Sequence, residues 1–289
     1  MAASRHVLAG LLVMASPALA APTGPEPAQT PNAQAPIVLA NHRAVYDLSL
    51  SGSTGTRTVE SARGRIVIDF RGDACRGYTM QTRQVTELTS GETGARLSDL
   101  RSTTFESGDG HEFRFRNTTA SNGENAVPID GTATENRDGL SVKLKGKPKP
   151  ITSDGIVLFP SAHMRKLVEL ARAGQSTLSV KVYDGSDDGQ KIYDTFAVIG
   201  QATTATTDLD KPLQTGPIAA VRRWPVKLTY YTAGVGERTP IYTLSFDLYE
   251  NGVSGRIKLD YGDFALAGVM TTLDLEADKP SKDAKGCTP

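Results

Sequence analysis

The sequence predicts a mainly β fold: a curved, almost wholly antiparallel sheet, open and barrel-like, with one α-helix packed against it. Three observations carry that reading. Apolar and polar residues alternate with period two along much of the chain, turn-forming pairs punctuate the alternating runs, and a single segment shows helical spacing.

The alternation is clearest in RIVIDF, where Ile66, Ile68 and Phe70 take one face and Arg65, Val67 and Asp69 the other. In HEFRFRN, Phe113 and Phe115 alternate with Glu112, Arg114 and Arg116 in the same way. Similar runs at 38–50, 78–88, 140–144, 178–183, 192–199, 226–232, 242–249 and 264–275 read as further strands. Asp109-Gly110, Asp138-Gly139 and Asn251-Gly252 suit hairpins, the last as a type I′ turn with positive φ at both residues. Few connections are long enough for the crossover that a parallel pair requires.

The helix is PSAHMRKLVELARAG. Met164, Leu167, Val168 and Ala171 share a face, with Ser161 available as N-cap, Arg172 in the last turn and Gly174 as the stop. One amphipathic helix in a β protein closes the open side of a curved sheet.

The ends set the compartment. Residues 1–20, MAASRHVLAGLLVMASPALA, place Arg5 before an apolar run, then Pro17 and a small-x-small site at Ala18-Leu19-Ala20, the pattern of a signal peptide. The run is too short for a transmembrane anchor, and no cysteine follows it as a lipoprotein signal would need. Residues 21–36 read as a flexible Pro/Ala-rich leader and 37–289 as one β domain. Within it, Gly64-Arg65-Ile66 followed by Asp69-Phe70 is echoed by Gly255-Arg256-Ile257 followed by Asp260-Tyr261. The echo suggests related halves at about 37–200 and 218–277, joined by a connector at 201–217 and followed by a tail at 278–289.

Charge and motifs narrow the function. With 32 basic and 32 acidic residues the net charge is zero, which gives no support to nucleic-acid binding. No Gly-x-Ser-x-Gly elbow, Walker loop or dinucleotide fingerprint occurs. His6 leaves with the signal peptide, and His42, His111 and His163 are too scattered to make a zinc pattern. In YDGSDDGQKIYD, Asp184, Ser186, Asp188 and Gly189 fit the start of a calcium loop, but Thr195 stands where its glutamate belongs, and a hairpin turn accounts for the same residues. The lysines of KLKGKPKP read as a solvated connector, and Trp224, Tyr230 and Tyr231 as strand packing. No catalytic, metal or cofactor-binding residue is predicted.

Cys75 and Cys287 are the only cysteines, 212 positions apart. In an exported chain they invite a disulfide, with an exposed thiol in the tail as the alternative. Closing so long a loop stabilises by roughly 5 kcal/mol at most.

The ordered set HRAVYDLSL, ESARGRIVIDF with CRGYTM, LFPSAHMRKLVELARAG, VYDGSDDGQKIYDTFAVIG and LYENGVSGRIKLDYGDFAL, with a cysteine near the C-terminus, resembles the EipB family of alphaproteobacterial periplasmic envelope-integrity proteins. The resemblance implies a β-spiral of two related halves, oval in outline, with the helix inside. It also implies that Cys75 and Cys287 match the family's disulfide pair and that a catalytic centre is lacking; no cofactor is expected. It further implies resistance of the envelope to stress and a periplasmic tetratricopeptide-repeat protein as partner. The expected function is therefore non-enzymatic maintenance of the envelope through protein contacts. A binder or carrier of a lipid or other apolar ligand is the alternative, and an enzyme of envelope polymers a third reading.

Overall fold

A computed structural model describes residues 35–54, 59–91, 94–124, 127–234, 236 and 238–276. The segment read as a signal peptide, nearly all of the expected leader, and the tail with Cys287 lie outside the described residues.

The first eight strands are β1 (His42–Ser53), β2 (Val59–Asp73), β3 (Gly77–Ser90), β4 (Gly94–Glu106), β5 (Glu112–Ser121), β6 (Ile129–Asn136), β7 (Gly139–Leu144) and β8 (Ile151–Ser153). After β9 (Val157–Leu158) comes the helix α1 (Pro160–Arg172), then β10 (Thr177–Val182), β11 (Tyr193–Ile199), β12 (Arg223–Thr232), β13 (Pro240–Tyr249), β14 (Ser254–Asp260) and β15 (Phe264–Leu275). All fifteen join one sheet in the order β8-β7-β6-β5-β4-β3-β2-β1-β15-β14-β13-β12-β11-β10-β9. Neighbours are antiparallel except β9 and β10.

This order fixes the curvature. The chain starts mid-sheet, meanders outward to β8, crosses to the opposite edge at β9 and meanders back until β15 pairs with β1. Ser153 and Val157, at opposite ends of the sheet, are four residues apart and so can be separated by at most about 14 Å. The sheet must therefore curl until its two ends nearly meet, which gives the barrel-like shape.

The helix fills the interior. Leu167, Val168 and Ala171 pack in the main core with Tyr46, Trp224 and Leu248. A second cluster, built on Phe113, Phe115, Phe159 and Tyr183, seals the seam where the ends of the sheet approach each other. There the Asn117 amide of β5 donates to Gly185 O at 2.6 Å, clipping the loop after β10 to β5, and within that loop the Tyr183 hydroxyl donates to Gly189 O at 2.8 Å. Gly185 is required because a Cβ at that position would sit 2.6 Å from the Phe115 ring.

Two local expectations are corrected. The Asn251-Gly252 turn is not type I′: only Gly252 has positive φ, at 82°. The bonds from Tyr249 N–H to Val253 O and from Gly252 N–H to Tyr249 O make it the longer connection with one left-handed glycine. Ser161 is not the N-cap of the helix. Phe159 occupies that position without a side-chain cap of its own, because the helix begins at Pro160, two residues earlier than an N-cap at Ser161 would start it.

Candidate functional site

The missing cap comes from another part of the chain. The Glu106 carboxylate, at the end of β4, accepts the Ser161 N–H at 2.6 Å and the Ala162 N–H at 2.7 Å. A carboxylate beside the positive end of a helix is favourable, and it satisfies two peptide groups that the helix itself leaves unpaired. Glu106 is 2% exposed. Burial pushes its pKa up, opposed by these two N–H groups and by Arg165. Arg165 is held in turn by Gly108 O at 3.3 Å, with its guanidinium 5.8 Å from the centre of the Tyr78 ring.

A largely apolar cavity of about 190 Å³ opens beside this cap. Leu39, Ile68, Phe70, Tyr78 and Met164 supply much of its wall, with Glu106 and His42 as polar members. The alternation of β2 and β3 places Phe70 and Tyr78 inward, and their rings stack with centroids 5.0 Å apart. His42 lies 5.7 Å from Phe70, and its Nδ1 is 2.8 Å from Ala40 O. Burial lowers the His42 pKa, so its imidazole stays neutral and Nδ1–H is the donor. The Tyr78 hydroxyl is buried and makes no hydrogen bond of ordinary geometry among the described residues.

The arrangement suits binding better than proton transfer. Each Glu106 oxygen already accepts a short peptide N–H bond, and one His42 nitrogen is tied to the backbone. A cavity of this size holds a benzene-sized group or a short stretch of alkyl chain.

The sequence-predicted residues fall elsewhere. Cys75 lies in the turn between β2 and β3, where Asp73 Oδ1 accepts its N–H at 2.9 Å. That turn packs closely on Gly108, two residues from Glu106. Cys287 lies outside the described residues. In the loop read as calcium-like, the carboxylates hold the loop itself: Asp184 accepts Ser186 N–H, Asp188 accepts Gln190 N–H, and Asp187 pairs with Lys191. Among the described residues no cluster of three or more His, Cys, Asp or Glu side chains is placed to hold a metal ion. Trp224 and Tyr230 are buried in the core. His111 sits on the surface 3.2 Å from Glu135, and His163 is buried in α1. Sequence reasoning misses Glu106 because its partner is a backbone 55 residues away in the chain, and a lone glutamate at a strand end carries no signal of that.

Comparison with known proteins agrees with this architecture. The chain is 34% identical over 259 residues to the cell envelope integrity protein EipB of Brucella abortus, an alignment covering 89% of this chain and 91% of that one. It also matches a crystal structure of a β-barrel-like protein of a domain of unknown function from Brucella abortus. That match has a TM-score of 0.76 and 35% identity, and it covers 84% of this chain and 100% of the other. The model of the EipB-like family matches residues 33–277. The chain belongs to the EipB-like family.

Proposed function

We propose that this protein maintains the integrity of the cell envelope from the periplasm as a non-catalytic scaffold acting through contacts with other proteins. A periplasmic tetratricopeptide-repeat protein is among those partners, and a disulfide between Cys75 and Cys287 holds the tail to the turn after β2. The observation that carries this reading is the relation, over nearly the whole of both chains, to a protein named for cell envelope integrity. The site chemistry supports it: the buried carboxylate beside the cavity serves as a helix cap. Among the described residues no helix is long and apolar enough to cross a membrane.

The test combines a deletion strain with crosslinking in intact cells. Loss of the gene is expected to sensitise cells to detergent, and the wild-type chain to restore resistance. A photoreactive residue on the protein surface is expected to give discrete adducts with envelope proteins. Restored resistance with no adduct from any surface position would overturn the protein-contact reading, and turnover of an envelope polymer by the purified chain would overturn the non-catalytic one.

The cavity favours a second reading, a binder of an apolar group. Native mass spectrometry of gently purified protein is expected under that reading to show a stoichiometric small apolar molecule. Its absence, together with no shift in melting on addition of alkyl ligands, would exclude it.

A further inference from the structure

The sheet ends in two edges, and they are not alike. The β8 edge is short and follows Lys147-Pro148-Lys149-Pro150, charged and proline residues of the kind that prevent edge-to-edge pairing. The β10 edge has no such protection. All six residues of β10 pair with β11, whereas only Lys181 and Val182 pair with β9 on the other side. Thr177, Leu178, Ser179 and Val180 therefore form an open stretch without charge, proline or bulge.

The register says which peptide groups face outward. Ile199 N–H donates to Ser176 O, so the β11-facing positions alternate from there as Leu178, Val180 and Val182. The N–H and C=O groups of Thr177 and Ser179 point to the open side, and no hydrogen bond reaches them among the described residues. Along this edge runs a surface groove of about 810 Å³, walled on its far side by Ala162, Arg165 and Glu169 of α1 and by Ile156. Ile156 is 71% exposed, and on the neighbouring strand Phe196 and Val198 are 40% and 44% exposed.

From these observations we infer that the open edge of β10 is a docking site for an extended, acidic segment of a partner protein, which adds a strand to the sheet beside α1. Unpaired N–H and C=O groups at strand spacing are complementary to an extended backbone. Charge selects the side chains. Around the groove Lys166 pairs with Glu169, and Asp194 with Arg238. Arg165, Lys181 and Asp154 have no opposite charge within ion-pair distance among the described residues; the Glu106 carboxylate that Arg165 acts on is buried and already accepts the Ser161 and Ala162 N–H groups, which leaves two cations against one anion at the groove surface. A carboxylate on the incoming strand completes that balance. The inference rests on the protein-contact reading above and assigns its surface.

The test uses the purified chain and a fluorescein-labelled peptide of alternating valine and threonine with one glutamate. Saturable binding by anisotropy is expected, with affinity lowered about tenfold by Ser179→Pro, which removes one outward N–H and none directed at β11. N-methylation of every second peptide residue in one phase is expected to abolish binding, and in the other phase to leave it intact. Replacing the glutamate by lysine is expected to weaken it. Ile156→Asp, outside any strand, is expected to weaken binding even if Ser179→Pro disturbs folding. No saturable binding, or equal affinity in both variants, or indifference to the methylation phase would overturn the inference. A wild-type dimer by sedimentation that Ser179→Pro dissolves would assign the edge to a second copy of the chain instead, which also overturns it. Adducts to envelope proteins that persist in Ser179→Pro would sink this surface while leaving the protein-contact reading intact, and the peptide measurement decides the surface without needing those adducts.

Discussion

His163 gives the most direct quantitative check on the interior. It lies in the first turn of α1, its side chain is buried, and Nε2 has no hydrogen-bond partner among the described residues. Burial alone pushes its pKa down from 6.5 to about 4. The sign follows from proton uptake: between these values the unfolded chain binds a proton that the folded chain refuses. The stability this residue contributes is therefore complete above pH 6.5, falls as the pH drops, and levels off below about pH 4. The whole interval corresponds to about 3.4 kcal/mol at 1.36 kcal/mol for each pKa unit. Between pH 7.5 and pH 4.5 the loss is about 2.5 kcal/mol. The assay is urea unfolding at both pH values for the wild type and for His163→Leu, which fills the same space without a titrating group. His42, whose pKa burial also lowers, is present in both proteins and cancels in the comparison. The wild type is expected to lose about 2.5 kcal/mol more than the variant on acidification. Equal losses would mean that the imidazole is solvated or partnered, and would refute its placement inside the sheet.

Three further outcomes follow from the same geometry. Glu106→Ala leaves the Ser161 and Ala162 N–H groups uncapped in a buried setting and is expected to cost about 2–3 kcal/mol by urea midpoint. Glu106→Gln, which keeps one acceptor, is expected to recover part of that loss, and equal costs would show that charge alone matters. Buried Asp247 pairs with buried Arg223 and with the exposed Arg256, each at 3.0 Å, so Asp247→Asn is expected to cost about 3–5 kcal/mol, with much of it regained in Arg223→Met/Asp247→Leu, where Arg256 turns to solvent. A double variant no better than the single one would refute the buried-charge argument. Cys75→Ser and Cys287→Ser are each expected to cost about 2–4 kcal/mol, and the double substitution no more than either alone; additive losses in calorimetry would show that the two sulfurs are not bonded to each other.

How much of this was legible in the chain depended on the range of each signal. Strands with strong alternation, such as those holding Ile66 to Phe70 and Phe113 to Phe115, declare their inward faces through neighbouring residues alone. β4 and β6 do not: GARLSDLRSTTFE and IDGTATEN are too polar to show a period, and they are strands because both neighbours supply ladders. The helix could be read from its apolar face, its proline and its terminal glycine, but its cap could not, since Glu106 is chosen by tertiary approach. The repeated Gly-Arg-Ile string shows the same limit. Gly64 lies opposite Leu48 and is needed because a Cβ would meet Val85 O at 2.4 Å. Gly255 lies opposite Asp247 and is crowded instead by Leu213. Similar strings thus sit in different registers for different steric reasons.

The long-range ties converge on one place, and that convergence has a mechanical meaning. A sheet whose ends are brought together by chain order still needs those ends fastened, because loop closure alone leaves them free to breathe. Glu106 fastens β4 to the start of α1, Asn117 fastens β5 to the loop after β10, and Lys181 Nζ reaches Ser153 Oγ across the gap at 3.2 Å. Each of these ties joins the arm β4 to β8 to the segment from α1 to β11. Every one lies at the seam, and each uses a polar group on a peptide or side chain that would otherwise be buried unpaired or left at an edge. Thr177 to Val180 is the stretch of β10 that this fastening leaves open, since β9 is too short to cover it. A partner strand added there would extend the seam's own hydrogen bonding and brace β10 against α1. Binding at that edge is therefore expected to slow amide exchange in β10 and α1 together, while leaving β1 to β3 unchanged.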